Sequence, residues 1–289
     1  MKLSSKAKAV IFALICVFLW ALIPVVAKIG QSGLDNHQFL FWSSLVSFLT
    51  FLIIIGSKKQ LNTVRKLIAK NWIHAASLGL LGTYLYYILL YFGYANAKGI
   101  EVLVIQYSWP IFVVILSVII LKEKLTLFRV LSILLGFLGV FLVLSKGKFT
   151  EIHFDNLKVD ILVFIAAFVF ALFSVLSKSI KLEPLKLIAI YYLTATIVSF
   201  FSMIVFSEYA LPQADTLIPI LINGIFVNGI SYLFWIKALK EAEASFVAPF
   251  VFLTPVISAI YLVFFFREEF LPIYAVGMVA IIIGGLLNR

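Results

Sequence analysis

The chain has 289 residues, of which 64% are hydrophobic and 12% charged, against about 45–50% and about 25% in soluble proteins. Its formal net charge of +10 would suit a nucleic-acid binder, but the basic residues sit in short loops between apolar runs. That pattern gives the charge a topogenic role and predicts no nucleic-acid partner. One cysteine, Cys16, excludes an internal disulfide, and His37, His74 and His153 have no metal-ligand spacing, so neither a metal nor a cofactor is expected.

Ten stretches without Asp, Glu, Lys, Arg or His reach or approach the length that crosses a bilayer: 9–27, 38–57, 75–97, 102–121, 130–145, 161–177, 187–207, 216–236, 244–266 and 270–288. Their unbroken apolarity favours helices over a barrel, whose strands of about 10 residues alternate in polarity. The expected fold is an all-α integral membrane protein of ten transmembrane helices, surrounded by the lipid bilayer and without a soluble domain.

The first run follows MKLSSKAK and imitates a secretory signal. It is longer than the usual core of about 7–15 residues and is expected to remain as a span. It carries Trp20 and ends at Lys28. In the third run Tyr84, Tyr87, Tyr91 and Tyr94 recur at spacings of 3, 4 and 3 and share one helical face. They spread over about 15 Å of rise, too far for one interfacial belt. Interhelical hydrogen bonding is one explanation; a polar, aromatic cavity wall is the other and the favoured one.

The fourth run reads IQYSWPIFVVILSVIILKEKL from residue 105. Pro110 removes a helix hydrogen bond near the middle of a span and frees the carbonyl of Gln106. Either it makes a packing kink, or the bend faces a pathway and brings Tyr107 and Trp109 towards it. The fifth run is short and gains length if Arg129 snorkels. In the sixth, Phe170 lies near the position matching Trp20, and Lys178 closes the run. The eighth carries Gly224, Asn228, Ser231, Tyr232 and Trp235 on one face. The ninth, FVFLTPVISAIYLVFFFREEF from residue 250, repeats the skeleton of the fourth, with Pro255 where Pro110 stood.

These likenesses form a repeat. At an offset of 150, Phe18, Ala21, Leu22, Val25 and Lys28 meet Phe168, Ala171, Leu172, Val175 and Lys178. At an offset of 145, Gly79, Tyr87, Ala97, Pro110, Glu123 and Gly139 meet Gly224, Tyr232, Ala242, Pro255, Glu268 and Gly284. The units expected are 1–147 and 148–289. Each holds five spans, and five is odd, so the second must cross the bilayer inverted. Substrate sites of inverted repeats lie near mid-depth between the halves.

With alternate loops on opposite sides, six basic residues (Lys28, Lys98, Lys146, Lys148, Lys158 and Arg267) fall on the face away from the N-terminus. The other 17 of 23 share its face. The positive-inside rule then makes both termini cytoplasmic, in a multi-pass protein expected in the cell inner (cytoplasmic) membrane. Lys28 and Lys178 become candidate gates at opposite faces. Other ionisable residues stand at span ends, Glu101 and Glu243 among them, where solvation or snorkelling is the ordinary explanation.

At these residues the chain resembles the drug/metabolite transporter superfamily, EamA type. The carriers are FLWALIPVVAK (18–28), the segment from Pro110 through LKEKL to Gly139, and its counterpart from Pro255 to Gly284. Within it GYANAKGIEVLVIQYSWP (93–110) is similar to the YddG group of aromatic amino acid and metabolite exporters. The resemblance implies a basket of helices around a central cavity, with Trp20, Tyr84, Tyr107 and Trp109 lining it.

From this reading Trp20, Tyr84, Tyr87, Tyr91, Gln106, Tyr107, Trp109, Asn228, Tyr232 and Trp235 are candidate substrate-binding residues, and Pro110 and Pro255 candidate hinges. The function expected is a monomeric carrier with a small-molecule substrate, exporting metabolites such as amino acids by alternating access. Uptake or exchange of a nucleotide-like, cofactor or amine cargo is the alternative. Proton-coupled drug export is disfavoured, because the first span lacks the buried Glu of the small multidrug resistance relatives. No catalytic constellation lies within the spans, so no enzyme is expected.

Overall fold

The computed structural model describes residues 3–59, 72–97, 99–149, 156–267 and 271–287. Among the described residues every regular element is helical. The helices are α1 (Ser5–Gly30), α2 (Asn36–Ser57), α3 (Trp72–Asn96), α4 (Glu101–Ile120), α5 (Leu127–Ser145), α6 (Leu157–Ser179), α7 (Pro184–Phe206), α8 (Ala214–Glu241), α9 (Ala244–Phe265) and α10 (Pro272–Leu287). The first nine are long and apolar enough to span a membrane. The tenth has 16 residues, about 24 Å of rise. Their starts carry ordinary signals: Ser4 caps α1, Asp35 and Gln38 form a capping box on α2, and Thr126 and Asn156 cap α5 and α6.

The helices pair as two inverted copies would. Helix α1 lies along α8 as α6 lies along α3; α2 meets α8 as α7 meets α3; α2 packs on α7 and α5 on α10. Local backbone geometry repeats too. Helix α3 runs as a π-helix over Leu80–Leu85 and α8 over Asn223–Ile230, segments that overlap at the 145-residue offset. Lys122 and Arg267, also 145 apart, both take left-handed φ values of 58° and 55°. At the first of these turns the Glu123 N–H donates to the Ser117 carbonyl at 3.2 Å, a Schellman-type end to α4.

Three other helices are broken within their spans. In α1 the Ile23–Gly30 segment restarts after Trp20 with Pro24 in its first turn. In α4 the Trp109–Ile120 segment restarts at Trp109-Pro110. In α9 a 3₁₀ stretch, Ala248–Phe252, precedes Leu253 and Pro255. Proline is tolerated in a first turn, where its missing N–H has no partner to lose. Helix α6, with Ser174 where α1 has Pro24, runs unbroken.

Helices α5 and α10 approach closest at glycines. A Cβ on Gly139 would sit 2.6 Å from the Gly277 carbonyl oxygen, and one on Gly277 equally close to that of Gly139. Gly139→Val is therefore expected to cost about 1–3 kcal/mol through overpacking. Gly285→Ala, with nothing within 4 Å of the new Cβ, is expected to be near neutral. Thermal unfolding of the purified variants in detergent compares the two.

Candidate functional site

The three broken helices surround a cavity of about 270 Å³. Pro24 of α1, Tyr94 of α3, Leu103 of α4, Val143 of α5, Pro255 and Leu262 of α9, and Tyr274 of α10 contribute to its wall. It occupies the half of the molecule away from the N-terminus, and its rim reaches exposed Lys146. Below it a chamber of about 30 Å³ is walled by aromatic rings, with Trp20, Gln106 and Tyr107 shared between the two spaces.

Trp20 anchors the floor. Its ring meets Trp109, Phe170 and Tyr232 edge to face at centroid distances of 6.1, 6.0 and 6.0 Å, and Trp235 at 5.5 Å. Such pairs add about 0.5–1.5 kcal/mol each beyond their burial. Polar groups are threaded between the rings. Gln106 Nε2 donates to the Tyr86 hydroxyl at 2.7 Å, and the Tyr94 hydroxyl donates to Gln106 Oε1 at 3.0 Å. Ser258 donates to the Ala21 carbonyl at the α1 break, at 3.1 Å.

Six of the ten expected binding residues meet here: Trp20, Tyr87, Gln106, Tyr107, Trp109 and Tyr232 all wall the inner chamber. The bend at Ser108 turns Tyr107 and Trp109, two positions apart, into the same space. The other four lie elsewhere. Tyr91 packs against Phe39 at 5.8 Å. Trp235 is buried behind Trp20, its Nε1 donating to Ser174 Oγ at 3.0 Å. Asn228 is buried inside the π segment, where its carbonyl accepts the Tyr192 hydroxyl. Tyr84 is half-buried and belongs to the wall of neither space. The reason is the π segment at Leu80–Leu85. There the Tyr86 N–H reaches back five residues to Leu81, which rotates the following face by about one residue. Tyr86, which the spacing did not single out, also walls the inner chamber. Pro255 lines the outer cavity, while Pro110 is buried behind the chamber.

The N-terminal face is closed by charge. Glu123 is 9% exposed and caps the start of α9: it accepts from the backbone N–H of Ala244 at 2.8 Å and of Ser245 at 2.9 Å, and from Ser245 Oγ at 2.7 Å. Lys178 at the end of α6 pairs with it at 3.2 Å and also donates to the Ala242 carbonyl. Arg129 donates to Ser245 Oγ and the Lys124 carbonyl, both at 2.8 Å, and pairs with Glu243. Snorkelling and solvation therefore do not describe Arg129, 6% exposed, or Glu101 at the start of α4, 1% exposed; Glu243 is exposed, as a solvated span-end charge would be. Lys28, the repeat counterpart of Lys178, stands exposed near the opposite end of α1.

Burial alone would push the Glu123 carboxyl up, but its bonds from Ser245 and Ala244 and the Lys178 charge outweigh burial and hold it below the usual carboxylate range. Among the described residues no group of three or more His, Cys, Asp or Glu is placed to hold a metal ion.

The EamA-like transporter family matches residues 7–145 and 157–289. This chain belongs to that family. An uncharacterized transporter of Archaeoglobus fulgidus is 23% identical over 287 residues, 98% of each chain. Two relatives are named S-adenosylmethionine uptake transporter. That of Rickettsia conorii is 27% identical over 84% of this chain and 79% of its own, and that of Rickettsia felis 28% identical over 63% and 62%. A crystal structure 17% identical in sequence superposes with a TM-score of 0.82 over 97% of both chains, a likeness of fold. The EamA assignment makes the chain a multi-pass membrane transporter.

Glu123→Gln keeps the shape of the cap and removes its charge. It is expected to cost about 1.5–3 kcal/mol, the worth of hydrogen bonds to a charged group. Because the folded-state pKa is depressed, the wild-type advantage is present above the unfolded value of about 4.3 and lost as pH falls through the folded value. Thermal unfolding of both proteins at neutral pH and near pH 3 reads the gap and its closure.

Proposed function

We propose that this chain carries small amino-acid-like metabolites across the cytoplasmic membrane by alternating access, with its N-terminal face in the cytoplasm. The observation that carries the reading is a cavity that ends at mid-depth on an aromatic floor and is sealed beyond it by the Glu123–Lys178 network. A space open on one side of a floor and latched on the other is one extreme of an alternating cycle, and an inverted repeat supplies the other extreme. The excess of basic residues on the N-terminal face, 17 of 23, supports the orientation. Lys178 acts in the closed gate at this face, and Lys28 is its counterpart at the cavity face.

Size and lining bound the cargo. About 270 Å³ falls just under the roughly 300–1,000 Å³ that hold drug-sized ligands, which favours a cargo of amino-acid size. Rings and the Gln106–Tyr86–Tyr94 network suit an apolar body joined to a polar head. Among the described residues neither wall holds an acidic side chain, which supports transport down the substrate gradient, serving export or uptake alike. A second reading is uptake of a nucleoside-bearing metabolite, favoured by the names of the two Rickettsia relatives.

Counterflow in proteoliposomes with a panel of amino acids, amines and S-adenosylmethionine separates these readings. Trp109→Ala, which opens the floor, is expected to raise KM at least about tenfold, and Tyr107→Phe by about 2–10-fold, one neutral hydrogen bond. If neither change alters flux or selectivity for any transported compound, the site is elsewhere. Flux against a substrate gradient driven by a proton or sodium gradient alone would overturn the facilitated mechanism.

A further inference from the structure

The cavity holds hydrogen-bond donors that nothing in the protein uses. Trp20 is 6% exposed, lines both spaces, and its Nε1 is buried without a partner. The neighbouring indole of Trp235 shows the usual arrangement, its N–H spent on Ser174. An indole N–H can only donate, so an unsatisfied one in a buried wall calls for an acceptor. Thr254 Oγ1, in the wall of the same chamber and 3% exposed, stands beside the Tyr107 hydroxyl; accepting from it leaves the threonine's own O–H to offer. Gln106 gives one N–H to Tyr86 and has a second to offer.

The walls offer a cation much less. Among the described residues lining the two spaces there is no Asp or Glu, and Lys146 at the rim is the one charged side chain. Around Trp20 the rings are crowded: it meets Trp109, Phe170 and Tyr232 at interplanar angles of 83°, 76° and 77°, which restricts the room for a cation–π contact on the floor. The chamber's volume of about 30 Å³ is that of one small polar group, about the share of a single water in the liquid.

We propose that the site recognises its substrate by a carboxylate, held in this chamber by Trp20 Nε1 and Thr254 Oγ1, with the apolar body along Leu103, Val143, Ala259 and Leu262. Compounds whose only charge is an ammonium are disfavoured, because they leave the donor-only Trp20 N–H unpaired. This deepens the carrier reading and rests on it for the identity of the cavity, but recognition can be measured without flux.

The test uses leucine, isocaproate (the acid without the ammonium) and isoamylamine (the amine without the carboxylate). Binding is read as thermal stabilisation of the purified protein and, separately, as counterflow in proteoliposomes. Leucine and isocaproate are expected to bind and isoamylamine to bind at least about tenfold more weakly. Trp20→Phe keeps a ring and removes the N–H; Thr254→Val keeps the shape and removes the hydroxyl. Each is expected to weaken both acids roughly tenfold, the worth of one hydrogen bond to a charged group, and to leave isoamylamine unchanged. Should Trp20→Phe fold poorly, Thr254→Val reads the same contact.

If no compound crosses the bilayer while the acids still stabilise the protein, the carrier reading fails and the recognition stands. Isoamylamine binding as tightly as the acids, no binding by any of the three, or acid binding untouched by the variants would overturn the recognition.

Discussion

A bilayer offers no water to an unpaired peptide group, so a helix can be interrupted within it only where protein or a wet space supplies the missing partners. The architecture of this chain turns on that constraint. Its three proline-led breaks, after Trp20, at Ser108 and before Pro255, gather around one cavity instead of facing lipid. The carbonyl of Ala21 at the first break is met by Ser258 from α9. The breaks are thus both the reason the space exists and the reason it must stay within the bundle.

Closure of the other face uses the opposite chemistry. Glu123 is tied to α9 by three hydrogen bonds and to α6 by an ion pair, so a single carboxylate joins the ends of three helices from both halves. An isolated buried charge would be prohibitive there. The two backbone N–H groups at the start of α9 and the Lys178 ammonium make it tolerable. The left-handed turn at Lys122 delivers the carboxylate to that point.

Much of this was legible in the sequence, for reasons that differ by feature. Spans announce themselves because apolarity is a local property, and prolines mark breaks because they act on their own backbone. The repeat was readable because Pro110, Glu123 and Gly139 recur as Pro255, Glu268 and Gly284. The tyrosine face of α3 was legible only in part, because counting by 3.6 assumes a regular helix and the π segment adds a residue, which turns Tyr84 away from the face of Tyr87. Nor could sequence show that Arg129 and Glu123 are buried together, since their partners at the start of α9 lie 114–122 residues away. Charges flanking apolar runs look solvated until the opposite half of the chain is folded against them.

One buried atom has a practical consequence. The lone thiol, Cys16, is 0% exposed and donates to the Ser231 carbonyl at 3.1 Å across the α1–α8 seam. The natural chain therefore serves as a silent background for site-directed sulfhydryl labelling: a cysteine introduced along the cavity wall would report its own accessibility, undisturbed by the native one.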